Sequence, residues 1–221
     1  MERTLSLQDQ LDAITAHTRA LVPAERLEIG ERAIAELFAT AIEDHILPVG
    51  ATAPEFTLPD AAGRLQRSRD LLALGPLVLS FFRGRWCPYC MTELEAWRDL
   101  HTQLRAAGAL FVAISPQTQR QSDFTLQQHQ LPFPLLHDQA SALAARFGLV
   151  YTVPEYHQRY LRSILVNLPF LNGEPSWTLP IPATFLLDST GTIRFAEAHA
   201  DFRVRPEPSS VLDALFALTL R

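Results

Sequence analysis

An α/β fold, a sheet with helices on its faces and a helical extension in front, is read from three observations in this 221-residue sequence. Apolar runs of strand length alternate with helical patterns from about residue 77 onward. The first fifty residues carry nine acids against four arginines, while the rest is charge-balanced, so the whole net charge of -5 sits in one N-terminal unit. The two cysteines, Cys87 and Cys90, stand where a strand pattern becomes a helix pattern.

The N-terminal unit, residues 1–47, reads as two helices. Ser6 is a cap with Asp9 three residues on. Leu7, Leu11, Ile14, Thr18 and Leu21 follow at helical spacing on one face. Pro23 opens the second helix, and Leu27, Ile34, Leu37, Ala41 and Ile42 form its apolar stripe. These stripes are expected to pack on the main domain or on a second subunit, and no chemistry is read in them. Residues 47–63 hold five prolines and glycines, which suits a linker, short strands and turns. The main domain is expected over 48–221. Its strands are read at 77–82, 109–114, 133–136, 183–187 and 192–198, the last two joined by the turn Asp188-Ser-Thr-Gly191. Its helices are read at 88–107, 117–130, 141–147, 155–165 and 209–220. Residues 151–177 read as an insertion walling one side of the site.

Composition removes several functions. No lysine is present, so a Schiff-base enzyme and a P-loop are excluded. An acidic chain is a poor reader of nucleic acid. No apolar stretch reaches the roughly 20 residues of a membrane helix. With no signal-peptide pattern and only two cysteines, a cytoplasmic, reducing setting is expected.

The segment Leu77-Val-Leu-Ser-Phe-Phe-Arg-Gly-Arg-Trp-Cys-Pro-Tyr-Cys90 carries the chemistry. Pro88 suits the first helical position, making Cys87 the N-cap. Unpaired N–H groups of the first turn then face its sulfur and favour the thiolate. Arg83 and Arg85 add positive charge, one of them near the sulfur. Trp86 is either a docking surface or a half-buried aromatic closing the turn. Cys90, one turn deeper, is within disulfide reach. A zinc site would need two more ligands, which the seven histidines do not supply at paired spacing. No metal and no cofactor are expected. A lone His199 reads as an exposed residue or a proton relay, and the run Asp201-Phe-Arg-Val-Arg205 reads as a solvated surface pair or as a return of Arg203 or Arg205 toward the site.

At these residues the chain resembles the thioredoxin-fold superfamily, and within it the peroxiredoxin-like AhpC/TSA family. The match runs through Val49-Gly-Ala-Thr-Ala-Pro-Glu-Phe-Thr-Leu-Pro-Asp60, the cysteine turn, Ala113-Ile-Ser-Pro116, Leu131-Pro-Phe-Pro-Leu-Leu-His-Asp138 and Pro182-Ala-Thr-Phe-Leu-Leu-Asp188. The resemblance implies a thioredoxin-like fold with a central mixed sheet. It also implies that Pro182 is the cis-proline lying against the cysteines, with a free backbone edge for a partner chain. The sequence departs from the peroxiredoxin Pro-x-x-x-Thr-x-x-Cys turn: Arg83 stands at the Pro position, Cys87 at the Thr position and Cys90 at the peroxidatic one. Pro182 occupies the place of the peroxide-orienting arginine. The N-cap argument and the thioredoxin register favour Cys87 as attacker, and the peroxiredoxin register favours Cys90.

The expected function is a thiol-based oxidoreductase reducing hydroperoxides through a Cys87/Cys90 couple, restored by a thioredoxin- or glutathione-type reductant. A protein-disulfide oxidoreductase with little peroxidase activity and a redox-responsive binding protein are the alternatives. A homodimer through the acidic helices is a further expectation.

Overall fold

The computed structural model describes residues 5–219. Two helices come first, α1 (Leu7–Leu21) and α2 (Ala24–Ala39), followed by a 3-10 turn at Ile42–His45. A small hairpin of β1 (Thr57–Pro59) and β2 (Leu65–Arg67) and the short α3 (Ser68–Leu72) lead into β3 (Leu77–Phe81). Then come α4 (Pro88–Ala106), β4 (Leu110–Ser115), α5 (Gln119–His129), β5 (Leu135–His137) and α6 (Ala142–Arg146). The insertion holds β6 (Val150–Thr152), α7 (Glu155–Ser163), α8 (Leu168–Asn172) and β7 (Thr178–Pro180), its two strands pairing with each other. The chain ends in β8 (Ala183–Leu187), β9 (Ile193–Ala198) and α9 (Pro208–Thr219). Leu220, expected in this last helix, lies outside the described residues.

The central sheet has the order β5-β4-β3-β8-β9. It is mixed, as expected: β3 runs parallel to β4 and antiparallel to β8. Strand β3 is buried along its whole length, which is why its sequence is a continuous apolar run rather than an alternation. Its residues still divide by the period of two. Val78 and Phe82 join one core with Leu94, Trp97 and Val211. Leu77, Leu79 and Phe81 join the other with Phe147 and Phe185. The turn after β8 forms as read, with Asp188 Oδ1 accepting the N–H groups of Thr190 and Thr192.

The N-terminal helices pack on their own domain. Ser6 and Asp9 form the expected capping box. Leu7 and Leu11 are buried in the core under α4, but Leu21 at the far end of the stripe is exposed. Glu207, just before α9, accepts the N–H groups of Leu7 and Gln8 at 3.0 and 2.9 Å, so the first turn of α1 is tied to the other end of the chain. Helix α2 stops before Ala41, whose φ of 53° breaks the stripe. Ile42 is buried from the following 3-10 turn instead.

Gly30 sits in the middle of α2 with no heavy atom within 4 Å of where a Cβ would lie. A helix-interior glycine costs roughly 0.5–1 kcal/mol relative to alanine. Gly30→Ala is therefore expected to raise unfolding stability by about that amount, read from a urea midpoint at unchanged slope.

Candidate active site

The cysteine turn is built by β3 and α4. β3 ends at Phe81, and the Phe82 N–H continues toward the Ile114 carbonyl at 3.0 Å. The chain then swings through Gly84, which has φ 139°, where a Cβ would lie 2.7 Å from the Trp86 ring nitrogen. Only glycine fits there without moving the tryptophan. Cys87 is the N-cap of α4 with Pro88 in the first turn, as read.

Both cysteines are free and buried. The expectation of an outer and an inner sulfur is met in a narrower sense: Cys87 lines a cavity, and Cys90 does not. Arg83 Nη1 lies 4.0 Å from the Cys87 sulfur. Its guanidinium is sandwiched between the rings of Trp86 (4.6 Å) and Phe202 (4.3 Å). It is only 2% exposed, and it pairs with no carboxylate among the described residues. Arg205 reaches Cys90 from the far end of the chain, with Nη2 at 3.4 Å. Unlike Arg83, it has an acid: Nε meets Glu93 Oε2 at 2.5 Å, both side chains being 1% exposed. Its Nη1 binds the Phe202 and Val204 carbonyls. Ser80 and Thr184 hydroxyls approach the other Glu93 oxygen at 3.4 and 3.5 Å.

These charges separate the two thiols. Burial opposes ionisation of Cys87. The Cys90 thiol donating to it, then Arg83 and Arg205, outweigh that and bring it down to about 6. Cys90 is pushed well up by burial, by giving its hydrogen bond to Cys87 and by the neighbouring negative sulfur. A low-pKa thiol facing a cavity beside a protonated one is the arrangement of an attacking and a resolving cysteine. His157, also on the cavity wall, is held down at about 4 by burial and by Arg83, so it stays neutral.

The cavity over Cys87 encloses ≈ 210 Å³. One wall comes from α1 and α2, with Thr15, Leu27, Gly30 and Ile34. A second comes from the insertion, with Tyr160, Leu161, Ile164 and Val166. The floor holds Arg83, Trp86 and Cys87. The insertion thus walls the site as read, whereas chemistry was not read in the N-terminal helices.

Two other expectations, for Arg85 and for Pro182, are corrected. Arg85 is not brought to the sulfurs. Its N–H binds Gln117, and its guanidinium points to Gln121 and Gln128 and over the Phe124 ring. Pro182 is not a cis-proline, since no described peptide bond is cis. Nor is its backbone edge free. The Ile181 N–H binds the Leu149 carbonyl at 2.8 Å, and the Pro182 carbonyl accepts from His199. The hairpin of β6 and β7 fills that edge. Of the two readings of the Asp201–Arg205 run, the return toward the site holds for Arg205, a buried neighbour of the sulfurs. Arg203 also lines the cavity, paired with Asp201 and Glu31. His199 pairs with Glu197 and lies off the cavity. Trp86 is half-buried and lines the cavity.

A strand, a Cys-x-x-Cys turn and a helix on a mixed five-stranded sheet define a thiol-disulfide redox protein of thioredoxin fold. The family model for the AhpC/TSA family matches residues 49–196. The chain belongs to the AhpC/TSA family and is a peroxiredoxin-like thiol oxidoreductase. It is 33% identical over 103 residues to a putative peroxiredoxin of Mycobacterium tuberculosis, covering 47% of this chain and 67% of that one. It is 26% identical over 153 residues to the thiol-disulfide oxidoreductase ResA of Geobacillus thermodenitrificans, covering 69% and 70%. The crystal structure of peroxidoxin BcpB from M. tuberculosis superimposes with a TM-score of 0.61 at 25% identity, covering 78% of this chain and 98% of that one.

Proposed function

We propose that this protein reduces hydroperoxides, with Cys87 as the attacking thiolate and Cys90 as the resolving thiol. The observation that carries the reading is the buried guanidinium of Arg83, without a carboxylate and 4.0 Å from Cys87. A buried charge needs a counter-ion, and the Cys87 thiolate is the anion at hand. It attacks the distal oxygen of the peroxide, and the O–O bond breaks. The leaving alkoxide or hydroxide takes a proton, and Cys87 becomes a sulfenic acid. Cys90 then gives up its proton and attacks the Cys87 sulfur. The S–S bond forms and water leaves. Two electrons have passed from the dithiol to the peroxide. An external thiol pair of thioredoxin or glutathione type returns them by exchange.

In this reading Arg83 is the catalytic counter-ion, and Trp86 holds its guanidinium in place. Arg85 and Pro182, both candidates from the sequence, have no part in the step. No helix among the described residues is long and apolar enough to cross a membrane. A cytoplasmic setting goes with this reading, because a reducing compartment keeps such a thiol pair reduced. A homodimer would have to use exposed residues of the helical extension such as Leu21 and Phe38, because the buried stripe already faces this chain's own core.

The test is stoichiometric peroxide added to wild type, Cys87→Ser and Cys90→Ser, with sulfenic acid trapped and located by mass spectrometry. Trapping on Cys87 in Cys90→Ser, and none on Cys90 in Cys87→Ser, is the expected result. Undiminished peroxide consumption in both variants would sink the reading. The likeness to a thiol-disulfide oxidoreductase supports a second reading, protein-disulfide exchange. Insulin reduction with no peroxide turnover in the same preparation would select it.

A further inference from the structure

The cavity over Cys87 has a wall supplied from outside the segment that matches the family, which begins at residue 49. That wall is α1 and α2, and it is fixed in place. Arg203 grips Glu31 at 2.6 and 3.0 Å. The Thr15 and Tyr89 hydroxyls meet at 3.1 Å. Tyr156 binds Glu36 at 2.7 Å and lies under the Arg32 guanidinium.

Gly30 lies at the centre of this wall. Its φ is not in the positive range, so its backbone does not require glycine. Nothing lies within 4 Å of its missing Cβ, so no neighbour excludes a side chain. What the absent side chain does leave is space in the cavity. The surface around that space is mostly apolar, with Leu27, Ile34, Leu161, Ile164 and Val166. An apolar cavity of about 150 Å³ already holds a benzene ring, and this half-open one offers ≈ 210 Å³. Hydrogen peroxide has no apolar surface to offer such a wall.

We propose that Gly30 is a specificity-determining residue, keeping open a subsite beside Cys87 for the apolar body of a compact organic hydroperoxide. The inference rests on the peroxide reading of the site and deepens it. The organic group lies between α2 and α7 while its O–OH end meets the Cys87 sulfur, and the alcohol leaves by the same route.

The experiment compares kcat/KM for cumene hydroperoxide and hydrogen peroxide, with dithiothreitol as reductant. The proteins are wild type, Gly30→Ala, Gly30→Leu and Gly30→Phe, with Ala35→Leu on the exposed face of α2 as control. The cumene-to-peroxide ratio should fall in the order Ala, Leu, Phe, reaching a loss of tenfold or more. In Ala35→Leu it should not change. Cumyl alcohol should also slow alkylation of Cys87 in wild type and fail to do so in Gly30→Leu. If Gly30→Phe does not fold, the alanine and leucine variants carry the same ordering. A ratio held within about twofold in folded Gly30 variants would overturn the inference and leave the peroxidase reading standing. Absence of turnover of either peroxide by wild type would instead remove that reading, and the inference with it.

Discussion

Replacing Arg83 by Met is expected to raise the ionisation midpoint of Cys87 from about 6 by roughly one to three pH units, the usual effect of removing one opposite charge at this range. Thiolate absorbance near 240 nm (in a Cys90→Ser background) reads the midpoint directly. At neutral pH the thiolate fraction would fall accordingly, and peroxide turnover should drop by roughly twofold for a shift of one unit and by about a hundredfold for three. The same change has a signature in stability. The folded midpoint of Cys87, about 6, lies below its ordinary value of 9.0. A group shifted this way contributes stability that is complete above pH 9, declines as pH falls, and is gone below about 6. The reduced wild-type protein should therefore lose stability as pH falls across that window, by an amount on the order of 4 kcal/mol. Arg83→Met should flatten this slope, because it removes the buried charge that the thiolate balances. It should also gain relative to wild type at the acid end, where the wild-type guanidinium sits beside a neutral thiol. A midpoint for Cys87 near 9 in wild type, or one that Arg83→Met leaves in place, would be incompatible with this pairing.

What could be read from the sequence was local. Cys87 as N-cap follows from Pro88 and the strand before it, since capping is decided within one turn of chain. The sheet strands were read because burial on both faces makes an unbroken apolar run. The split between Arg83 and Arg85 was not readable, because it depends on the sharp turn at Gly84 and on which side Gln117 and Gln121 stand. Arg205 was left open between surface and site for a stronger reason: its partner Glu93 is 112 residues away, and the short irregular stretch after β9 shows no periodicity. Expecting Pro182 to lie beside a free edge failed because the insertion brought its own strands, β6 and β7, to that edge. The helical extension looked inert for the opposite reason. Its charge pattern describes its solvent face, whereas its part in the site lies on the inward face, where Gly30 leaves a gap rather than a signal.

Glu93→Ala is expected to have the largest effect on stability. It leaves the Arg205 guanidinium buried without its acid, a loss of about 3–5 kcal/mol. In a chain of this size that lowers the thermal midpoint by roughly 6–20 °C. Arg205→Ala should cost a similar amount by stranding Glu93, whose carboxyl burial already pushes up. The double variant should lose less than the two single losses together, by about 0.5–3 kcal/mol, because neither charge is then left alone. Additive losses, or a Glu93→Ala protein as stable as wild type, would show that the 2.5 Å contact is not an ion pair in solution. The pair also decides which thiol reacts. Arg205 is nearer to its sulfur than Arg83 is to Cys87, at 3.4 against 4.0 Å, yet Glu93 already balances its charge. Arg83 has no carboxylate among the described residues, only the Tyr151 hydroxyl and the sulfurs. Removing Glu93 should therefore free Arg205 to stabilise a Cys90 thiolate, and the titration of Cys90 should move down from its raised position. Sulfenic acid would then be trapped on Cys90 as well as on Cys87. The choice of attacking sulfur thus rests on the Cys90 thiol donating to Cys87 and on an Arg83 charge that no carboxylate balances, not on which arginine is closer.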